Sequence, residues 1–369
     1  MIYSIESIMQ SLITKHEKDN TMKNLYKRIN PIIAATTLIT ACSLDTTFSS
    51  KSTDSTSSLV TPTSNPNNDA SANASASVDS TKEKESQASS TVASTQESIA
   101  TTYDESLPTI VFLGDDQFDL GRSDNTSISY YVDTLLETDA NVINLGCTGV
   151  NSSTAPNTTD DSSVNFVNMA RYINGELDDS FWDNYPSAKA EATCFAPSDV
   201  DFYVIEFGVN DFLNIKELVN NTEIGDSSCY VNSIRVGVSL LQEASPDAKI
   251  IVCSPVYSIF FGEDGSVLGS GHVYANTFGR YLDYCSGCIN AAVEKGCLPF
   301  DAFDNEYMNI GDETTGEYLQ ADGIHLTRAG RNTFAAIVAH MINKQLGLDD
   351  SEIGSPYDIE DYMLPGESY

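Results

Sequence analysis

Five short apolar runs that alternate with longer amphipathic stretches constrain the fold of this chain more than any other feature. The apolar runs lie at residues 109–113, 141–145, 200–207, 249–254 and 298–300. Helix-like periodicity is found at residues 128–137, 164–174, 228–243, 275–295 and 328–346. Apolar strands that alternate with helices are typical of a parallel sheet covered by helices on both faces. We therefore predict an α/β domain at residues 106–348, a three-layer α/β/α sandwich around a five-stranded parallel sheet.

The amino-terminal residues have the pattern of an export signal. An apolar run at residues 29–40 follows a basic segment that contains Lys23, Lys27 and Arg28. The run leads into Ile39, Thr40, Ala41 and Cys42, an order that resembles the lipobox of bacterial lipoproteins. About a dozen apolar residues are too few for a retained membrane-spanning helix, which needs ~20.

We therefore predict that residues 1–42 are a leader and lipoprotein signal peptide that is cleaved before Cys42, whose thiol is then lipidated. Met22 is a candidate for the true start of translation. The mature protein would be extracellular and lipid-anchored to the bacterial cell membrane. The alternative is a non-lipidated signal peptide with a chance cysteine.

Composition separates two further segments from the folded domain. Residues 43–105 are rich in Ser, Thr, Ala and Asn, so they cannot bury enough apolar surface to fold, and we predict a disordered linker. Residues 349–369 form an acidic tail that we expect to be loosely held. The net charge of -34 disfavours nucleic acid as a partner. We expect contact with a membrane only through the lipid anchor.

The cysteines do not indicate a disulfide framework. Eight are present, and seven remain once Cys42 is assigned to lipidation, which is an odd number. Cys285 and Cys288 have the spacing of a redox or metal pair, yet they lie in a predicted helix without a second ligand pair. We interpret them as buried or idle thiols, and we predict no metal site and no cofactor.

Polar residues and glycines follow the predicted strands. These segments are residues 114–116, 146–149 and 208–211 after the first three strands, and residues 322–325 before the last helix. In open parallel sheets, the loops that leave the carboxyl ends of the strands carry the chemistry. We therefore expect these four segments to converge on one rim of the sheet.

Two of these segments have a distinctive sequence. Residues 208–211 are Gly-Val-Asn-Asp, and residues 322–325 are Asp-Gly-Ile-His. In this order and at these positions they resemble two sequence blocks of the SGNH/GDSL hydrolases, a family with a flavodoxin-like three-layer fold. The resemblance covers about residues 107–346. It implies an ester hydrolase without a cofactor that acts on small acyl esters, such as acetyl esters, or on acylated carbohydrates. We interpret Asp211 as structural.

The resemblance also implies a role for individual residues. His325 would be the general base and Asp322 would orient it, while Gly146 and Asn210 would form the oxyanion hole. Asp116 stands where the family has its nucleophilic serine. These roles are chemically sound, because a carboxylate fixes the imidazole tautomer and donors at strand ends stabilise an oxyanion. The alternatives are a histidine that caps the last helix and an asparagine that closes a turn.

Asp116 determines whether ordinary serine-esterase chemistry is available. Its neighbours are Asp115 and Gln117, and the next hydroxyl along the chain is Ser123. A carboxylate is a poor nucleophile toward an acyl carbon, since the product would be a high-energy anhydride. Two carboxylates beside His325 also favour its protonated form, which is not a base. We therefore predict a loss on the order of 10⁴ to 10⁶ in turnover.

Three interpretations remain open: an impaired esterase scaffold, an altered hydrolase and a purely structural surface lipoprotein. In the second, Asp116 would act as general base on water, as carboxylates do in inverting glycosidases. We adopt the first, with a non-catalytic glycan- or ligand-binding surface lipoprotein as the main alternative. A hydroxyl from Ser152 or Ser254 against the imidazole would overturn this choice. The wall of the cleft or the core would contain Tyr172, Phe181, Trp182 and Tyr185.

Overall fold

The computed structural model describes residues 103–156, 161–304 and 306–363. The predicted signal peptide with Cys42, and all but the last residues of the predicted linker, lie outside the described residues. Within the described residues, none of the helices has the length and apolar character needed to cross a lipid bilayer.

Strands and helices alternate along the described residues. The strands are β1 (Thr109–Gly114), β2 (Asn141–Asn144), β3 (Phe202–Glu206), β4 (Lys249–Cys253), β5 (Ile259–Phe261), β6 (Val267–Ser270), β7 (Ala275–Asn276), β8 (Gly279–Arg280) and β9 (Leu298–Phe300). The helices are α1 (Asp116–Asp119), α2 (Ile128–Leu135), α3 (Phe166–Ile173), α4 (Pro186–Ala192), α5 (Val209–Leu213), α6 (Tyr230–Ala244), α7 (Tyr281–Glu294), α8 (Thr315–Tyr318) and α9 (Arg328–Leu346). Short 3₁₀-helices lie at Arg122–Asp124, Asp179–Trp182, Pro197–Asp199 and Ile359–Tyr362.

The central sheet is parallel and has the strand order β2-β1-β3-β4-β9. Every residue of β1 and β3 is buried, because helices cover both faces of the sheet. In the register of these two strands, Gly114 lies opposite Glu206 at their carboxyl ends. The predicted three-layer α/β/α fold with a five-stranded parallel sheet is confirmed.

The helices pack against one another as well as against the sheet. α2 packs along α9, and α3 packs along α6, which also contacts α7. At the contact of α3 with α6, a Cβ on Gly237 would lie 2.3 Å from the ring of Phe166, so only glycine permits this approach. α9 begins where the Thr327 hydroxyl accepts the backbone N–H of Gly330, and it ends at the left-handed Gly347. The bounds predicted for this helix, residues 328–346, are confirmed.

One predicted helix starts later than the sequence periodicity indicates. Residues 275–280 were expected to be helical, but they form the β7-β8 hairpin. The Asn276 side chain accepts the backbone N–H groups of Phe278 and Gly279, which closes a turn. α7 begins only after Arg280, which forms a capping box with Asp283. The β5-β6 hairpin and α4 lie in segments for which no element was predicted.

The acidic tail packs against the domain in its described part, residues 349–363. Ile359 is fully buried, and the backbone N–H of Tyr357 donates to the carbonyl of Tyr307 at 2.7 Å. Asn332 of α9 donates to the carbonyl of Tyr362 at 2.8 Å. The expectation of a loosely held tail is wrong for this part. A few apolar and aromatic side chains anchor the segment despite its acidic composition.

Candidate active site

The carboxyl end of β1 places Asp116 at the rim of the sheet. The strand ends at Gly114, where a Cβ would lie 2.4 Å from the ring of Phe118. The Asp115 side chain then accepts the backbone N–H of Gln117 at 3.2 Å and caps α1. Asp116 is therefore the first residue of α1, with a side chain that is 16% exposed.

One carboxylate oxygen of Asp116 is held by donors from the two neighbouring strand ends. Asn210 Nδ2 donates to Asp116 Oδ2 at 2.7 Å, and the backbone N–H of Gly149 donates to the same oxygen at 2.9 Å. Asn210 belongs to α5, which follows β3, and Gly149 lies in the loop after β2. Donors on rigid strand ends that converge on one oxygen stabilise an oxyanion during acyl transfer. In this chain the Asp116 carboxylate occupies that place.

The prediction that Gly146 supplies an oxyanion donor is corrected. Its backbone N–H donates to Asn144 Oδ1 at 2.9 Å and is therefore not available to a substrate. Gly146 is needed for close packing instead, since a Cβ there would lie 2.8 Å from the backbone of Phe118 and Asp119. The backbone N–H that donates to Asp116 belongs to Gly149, three residues later, where φ is +76°. A left-handed backbone that favours glycine distinguishes the two positions, and sequence spacing does not.

His325 is oriented by Asp322, as the resemblance implies. His325 Nδ1 lies 2.7 Å from Asp322 Oδ2. The other oxygen of Asp322 accepts the backbone N–H groups of Ile324 at 2.9 Å and His325 at 3.0 Å, which fixes the carboxylate against its own loop. The remaining ring nitrogen, Nε2, lies 3.8 Å from Asp116 Oδ1. The structure thus brings Asp116, His325 and Asp322 together in the order of a catalytic triad.

Gln117 joins the Asp116 segment to the His325 loop, and sequence reasoning missed it. Gln117 Nε2 donates to the carbonyl of Ile324 at 2.9 Å, and its Oε1 accepts the backbone N–H of Leu326 at 3.2 Å. The two contacts bracket His325 on both sides. Gln117 is 2% exposed, so solvent does not compete for these hydrogen bonds. The only sequence signal for this role is its position next to Asp116, because its hydrogen-bond partners lie more than 200 residues away.

The charges around His325 hold it in its protonated form. The Asp116 and Asp322 carboxylates raise the pKa of His325 to about 9 against the opposing effect of burial. Burial would raise the pKa of Asp116, but its contacts with His325, Asn210 and Gly149 lower it below the usual value. At neutral pH the site therefore contains an imidazolium between two carboxylates. An imidazolium cannot accept a proton from a nucleophile.

A second carboxyl pair lies buried beneath Asp116. Burial, followed by the Asp116 charge, raises the pKa of Asp115 to about 7, and burial with the Asp115 charge raises that of Glu206 well above its ordinary value. No N–H or hydroxyl among the described residues donates to either Glu206 oxygen. Glu206 therefore stays protonated, because its burial and the neighbouring Asp115 carboxyl disfavour a second negative charge. Asn210 Nδ2 also lies 3.3 Å from Asp115 Oδ2, so this amide contacts both aspartates.

Asp211 has the structural role expected from the sequence. It is buried, and it accepts the backbone N–H groups of Ser152 at 2.7 Å and Ser153 at 3.0 Å. The Ser153 hydroxyl donates to it as well, at 2.5 Å. Asp211 thus ties the loop after β2 to α5 and fixes the spacing between the two donors to Asp116.

Neither Ser152 nor Ser254 places its hydroxyl against His325. The Ser152 hydroxyl is fully buried and lies 2.7 Å from the hydroxyl of Ser233. The Ser254 hydroxyl is also fully buried and donates to Asp301 at 3.0 Å. Both bonds point to partners other than His325, so Asp116 is the side chain that faces the imidazole.

The aromatic residues suggested for the cleft wall belong mainly to the core. Phe181 and Trp182 are buried, and their ring centroids are 4.7 Å apart. Tyr172 stacks on Phe181 with centroids 6.1 Å apart, while Tyr185 is partly buried against the same core. The core interpretation is therefore correct for Phe181 and Trp182.

The two cysteines with redox-like or metal-like spacing, Cys285 and Cys288, lie in an environment that disfavours the reactive thiolate. Cys285 and Cys288 are free and buried, and burial raises the pKa of Cys288 to about 12. This is the environment expected of idle thiols. Within residues 103–156, 161–304 and 306–363, no three His, Cys, Asp or Glu side chains are grouped so as to hold a metal ion.

Comparison with known proteins gives only distant structural likeness. No protein-family model matches the sequence, and no curated protein matches it. A possible lipase from Chitinophaga pinensis is 16% identical with a TM-score of 0.44, over 65% of this chain and 99% of that chain. A carbohydrate acetylesterase family member from Sinorhizobium meliloti is 17% identical with a TM-score of 0.43, over 66% and 100%. Another carbohydrate acetylesterase from that organism is 14% identical with a TM-score of 0.40, over 64% and 99%. The chemistry of this site therefore rests on its own side chains.

Proposed function

We propose that the domain is an SGNH-type ester-hydrolase scaffold in which Asp116 severely impairs the hydrolysis of small acyl esters. One observation carries this proposal. Asp116 Oδ2 accepts hydrogen bonds from Asn210 and Gly149, while the same carboxylate faces His325, which is oriented by Asp322. These contacts support the proposal, because acyl transfer uses oxyanion donors and an oriented imidazole beside an attacking hydroxyl, and Asp116 supplies a carboxylate in place of that hydroxyl.

Three physical effects of Asp116 act against ester hydrolysis. A carboxylate that attacked an acyl carbon would form an anhydride, which is higher in energy than the ester. The Asn210 and Gly149 donors already bind Asp116 Oδ2, so a substrate oxyanion would have to displace a full negative charge. His325 is protonated at neutral pH and cannot act as a base. The three effects share one cause, the Asp116 carboxylate, and one substitution removes them all.

The test is the hydrolysis of 4-nitrophenyl acetate by the full chain and by two substitutions at the same position. Asp116→Ser supplies a hydroxyl, frees the donors and lowers the pKa of His325, so we expect a gain on the order of 10³-fold or more in kcat/KM. Asp116→Ala also frees the donors but supplies no nucleophile, so it should stay within about tenfold of the wild type.

His325→Ala in the Asp116→Ser background is the matched control, and it should abolish the gain. An ordinary esterase rate in the wild type that is lost in Asp116→Ala would show that the carboxylate itself hydrolyses esters. That result would contradict the proposal. Equal rates for Asp116→Ser and Asp116→Ala would also contradict it, because the remaining groups would then not form a working site.

The main alternative is a surface protein that binds a glycan or another acylated ligand without turnover. The observation in its favour is that Asp116, Asn210 and Gly149 satisfy one another, which leaves a stable resting site that does not need a substrate. Calorimetric titration with an acetylated xylo-oligosaccharide tests it. Two results together would favour this alternative: the wild type binds the oligosaccharide saturably, and the Asp116→Ser variant has no esterase activity.

We also propose that the protein is held at the outer face of a bacterial membrane through lipidated Cys42. The support is the order of basic segment, apolar run and cysteine at residues 23–42. Metabolic labelling with an alkyne fatty acid in a bacterial host should label the full chain but not Cys42→Ser. Equal labelling of both proteins would contradict the proposal.

A further inference from the structure

The two oxygens of the Asp116 carboxylate have different environments. Oδ2 is held by Asn210 Nδ2 at 2.7 Å and by the backbone N–H of Gly149 at 2.9 Å. Oδ1 accepts neither of these bonds and lies 3.8 Å from His325 Nε2. With 16% of its side chain exposed, Asp116 is a partly desolvated carboxylate in which Oδ2 is held by two donors and Oδ1 faces His325 Nε2. This arrangement suits a carboxylate that attacks through Oδ1.

The kind of carbon that such a carboxylate can attack follows from the stability of the product. At an acyl carbon the product is an anhydride, but at a saturated carbon it is an ordinary ester. Enzymes use Asp and Glu as nucleophiles at saturated carbon, as retaining glycosidases do. We propose that Asp116 is a nucleophile toward saturated carbon, and that the site hydrolyses primary alkyl compounds whose leaving group departs as a stable anion, such as alkyl halides.

In the first step the bonds change at one carbon of the substrate. Asp116 Oδ1 forms a bond to that carbon, the carbon–halogen bond breaks, and its electron pair leaves with the halide. The leaving group departs on the side opposite to Oδ1, whereas His325 Nε2 lies close to Oδ1. His325 is therefore badly placed to protonate the leaving group. This geometry favours leaving groups that are stable as anions and need no proton, such as halides. It disfavours alcohol leaving groups, which need a proton.

Formation of the ester prepares His325 for the second step. Asp116 loses its negative charge on alkylation, and the interaction of His325 with the Asp116 carboxylate is the largest cause of the raised pKa of His325. Burial then favours the neutral ring, so His325 releases its proton to solvent. Asp322 continues to hold Nδ1 at 2.7 Å, which leaves Nε2 free to accept a proton from water.

In the second step this water is added to the ester of Asp116. The water oxygen bonds to Cγ while one proton moves to His325 Nε2, and negative charge develops on Oδ2. Asn210 and Gly149 already donate to Oδ2, so the contacts that block a substrate acyl group stabilise this intermediate. The Cγ–Oδ1 bond then breaks and the alcohol leaves with the second proton of the water. The aspartate and the imidazolium are regenerated, and the net reaction gives alcohol, halide and one proton.

An apolar surface lies beside the His325 loop. The ring of Phe261 on the β5-β6 hairpin lies against Gly323, where a Cβ would be 2.6 Å from it. Phe261 is 42% exposed, and its neighbour across the hairpin, Val267, is 65% exposed. An alkyl group that reached Asp116 past Gly323 would therefore meet apolar side chains. This favours an uncharged alkyl substrate over a sugar.

The test is bromide release from 1-bromobutane by the full chain, with Cys194→Ser in every variant to remove an exposed thiol that would also be alkylated. The wild type should release bromide at a rate on the order of 10²-fold above Asp116→Ala. Asp183→Asn removes an exposed carboxylate paired with Lys189 and should leave the rate unchanged. Equal rates in the wild type and Asp116→Ala would overturn the proposal.

His325→Gln separates the two steps. It should still be alkylated but not hydrolysed, so mass spectrometry should find one butyl group per chain on the peptide that contains Asp116. No butyl group on that peptide would overturn the proposal.

Isotope labelling of the native chain gives a second measurement that does not depend on a variant. A single turnover in ¹⁸O-water should place the label in the Asp116 carboxylate, and the butanol should contain none. Label in the butanol would show that water attacks the substrate directly, with Asp116 as general base, and would overturn the nucleophilic step. The result of the isotope experiment does not depend on the esterase test. Asp116→Ser removes the carboxylate, so its esterase activity does not report whether the native carboxylate acts as a nucleophile or as a general base.

Discussion

Asp116→Asn should lower the pKa of His325, because it removes one of the two charges that hold the imidazole in its protonated form. Two unit charges 3.8 Å apart, as Asp116 Oδ1 and His325 Nε2 are, interact by about 1 to 4 kcal/mol for an effective dielectric constant between about 80 and 20. The two side chains are 16% and 29% exposed, so solvent screens part of this interaction and about 2 kcal/mol is a reasonable value. We therefore expect the pKa of His325 to fall from about 9 by about 1.5.

The assay is a proton NMR titration of the histidine ring resonances in the wild type and in Asp116→Asn. The sequence contains four histidines, and His325→Gln identifies the resonance of interest. A wild-type pKa near the ordinary value of about 6.5, or the same pKa in both proteins, would refute the electrostatic argument.

The raised pKa also has a consequence for the pH dependence of stability. A histidine whose pKa is raised on folding stabilises the native state fully below its unfolded pKa, and this contribution is lost as the pH rises through the folded pKa. For His325 the loss occurs between about pH 6.5 and 9. Above pH 7, the free energy of unfolding of the wild type should therefore fall more steeply with pH than that of Asp116→Asn. Parallel curves from urea denaturation would contradict this.

Three further predictions concern the scaffold, and urea denaturation with matched wild-type controls tests each of them. Gly146→Ala should lower the free energy of unfolding by about 2 to 4 kcal/mol, because its Cβ would collide with backbone atoms. Gly149→Ala should lower it by about 1 kcal/mol, because the new Cβ lies in open space but the backbone has φ +76°. The reverse order would contradict the structure. Glu206→Gln should raise stability at pH 8 by about 1 kcal/mol, because a carboxyl whose pKa is raised on folding lowers stability once the pH exceeds its unfolded pKa. A loss of similar size would contradict the raised pKa of Glu206. Ile359→Ala should cost about 2 to 4 kcal/mol if the tail is anchored by this buried side chain, and no change would show that the tail is dispensable.

Much of the fold could be predicted because it depends on local periodicity. The five parallel strands follow from continuous apolar runs, and the bounds of α9 predicted from periodicity coincide with its two capping residues. The pairing of Asp322 with His325 could also be predicted, since a spacing of three residues within one loop brings the two side chains together. The β7-β8 hairpin could not, because one side-chain turn at Asn276 overrides a helical pattern.

The parts of the site that escaped prediction depend on contacts between distant segments. The choice between Gly146 and Gly149 is made by the Asn144 side chain, which takes the N–H of the first, and by the backbone conformation of the second. The clamp that Gln117 forms around His325 joins residues more than 200 positions apart. Neither contact can be predicted from the spacing of residues in the sequence.

The measurement that tests the central claim most directly is labelling by an alkyl fluorophosphonate, which phosphonylates a serine hydroxyl activated by a neighbouring histidine. With a carboxylate facing His325 and its oxygen on the Asn210 and Gly149 donors, the wild type should take up no stoichiometric label. Asp116→Ser should take up one equivalent at position 116, and His325→Ala in that background should abolish it. Stoichiometric labelling of the wild type at any hydroxyl, or no labelling of Asp116→Ser, would contradict the account.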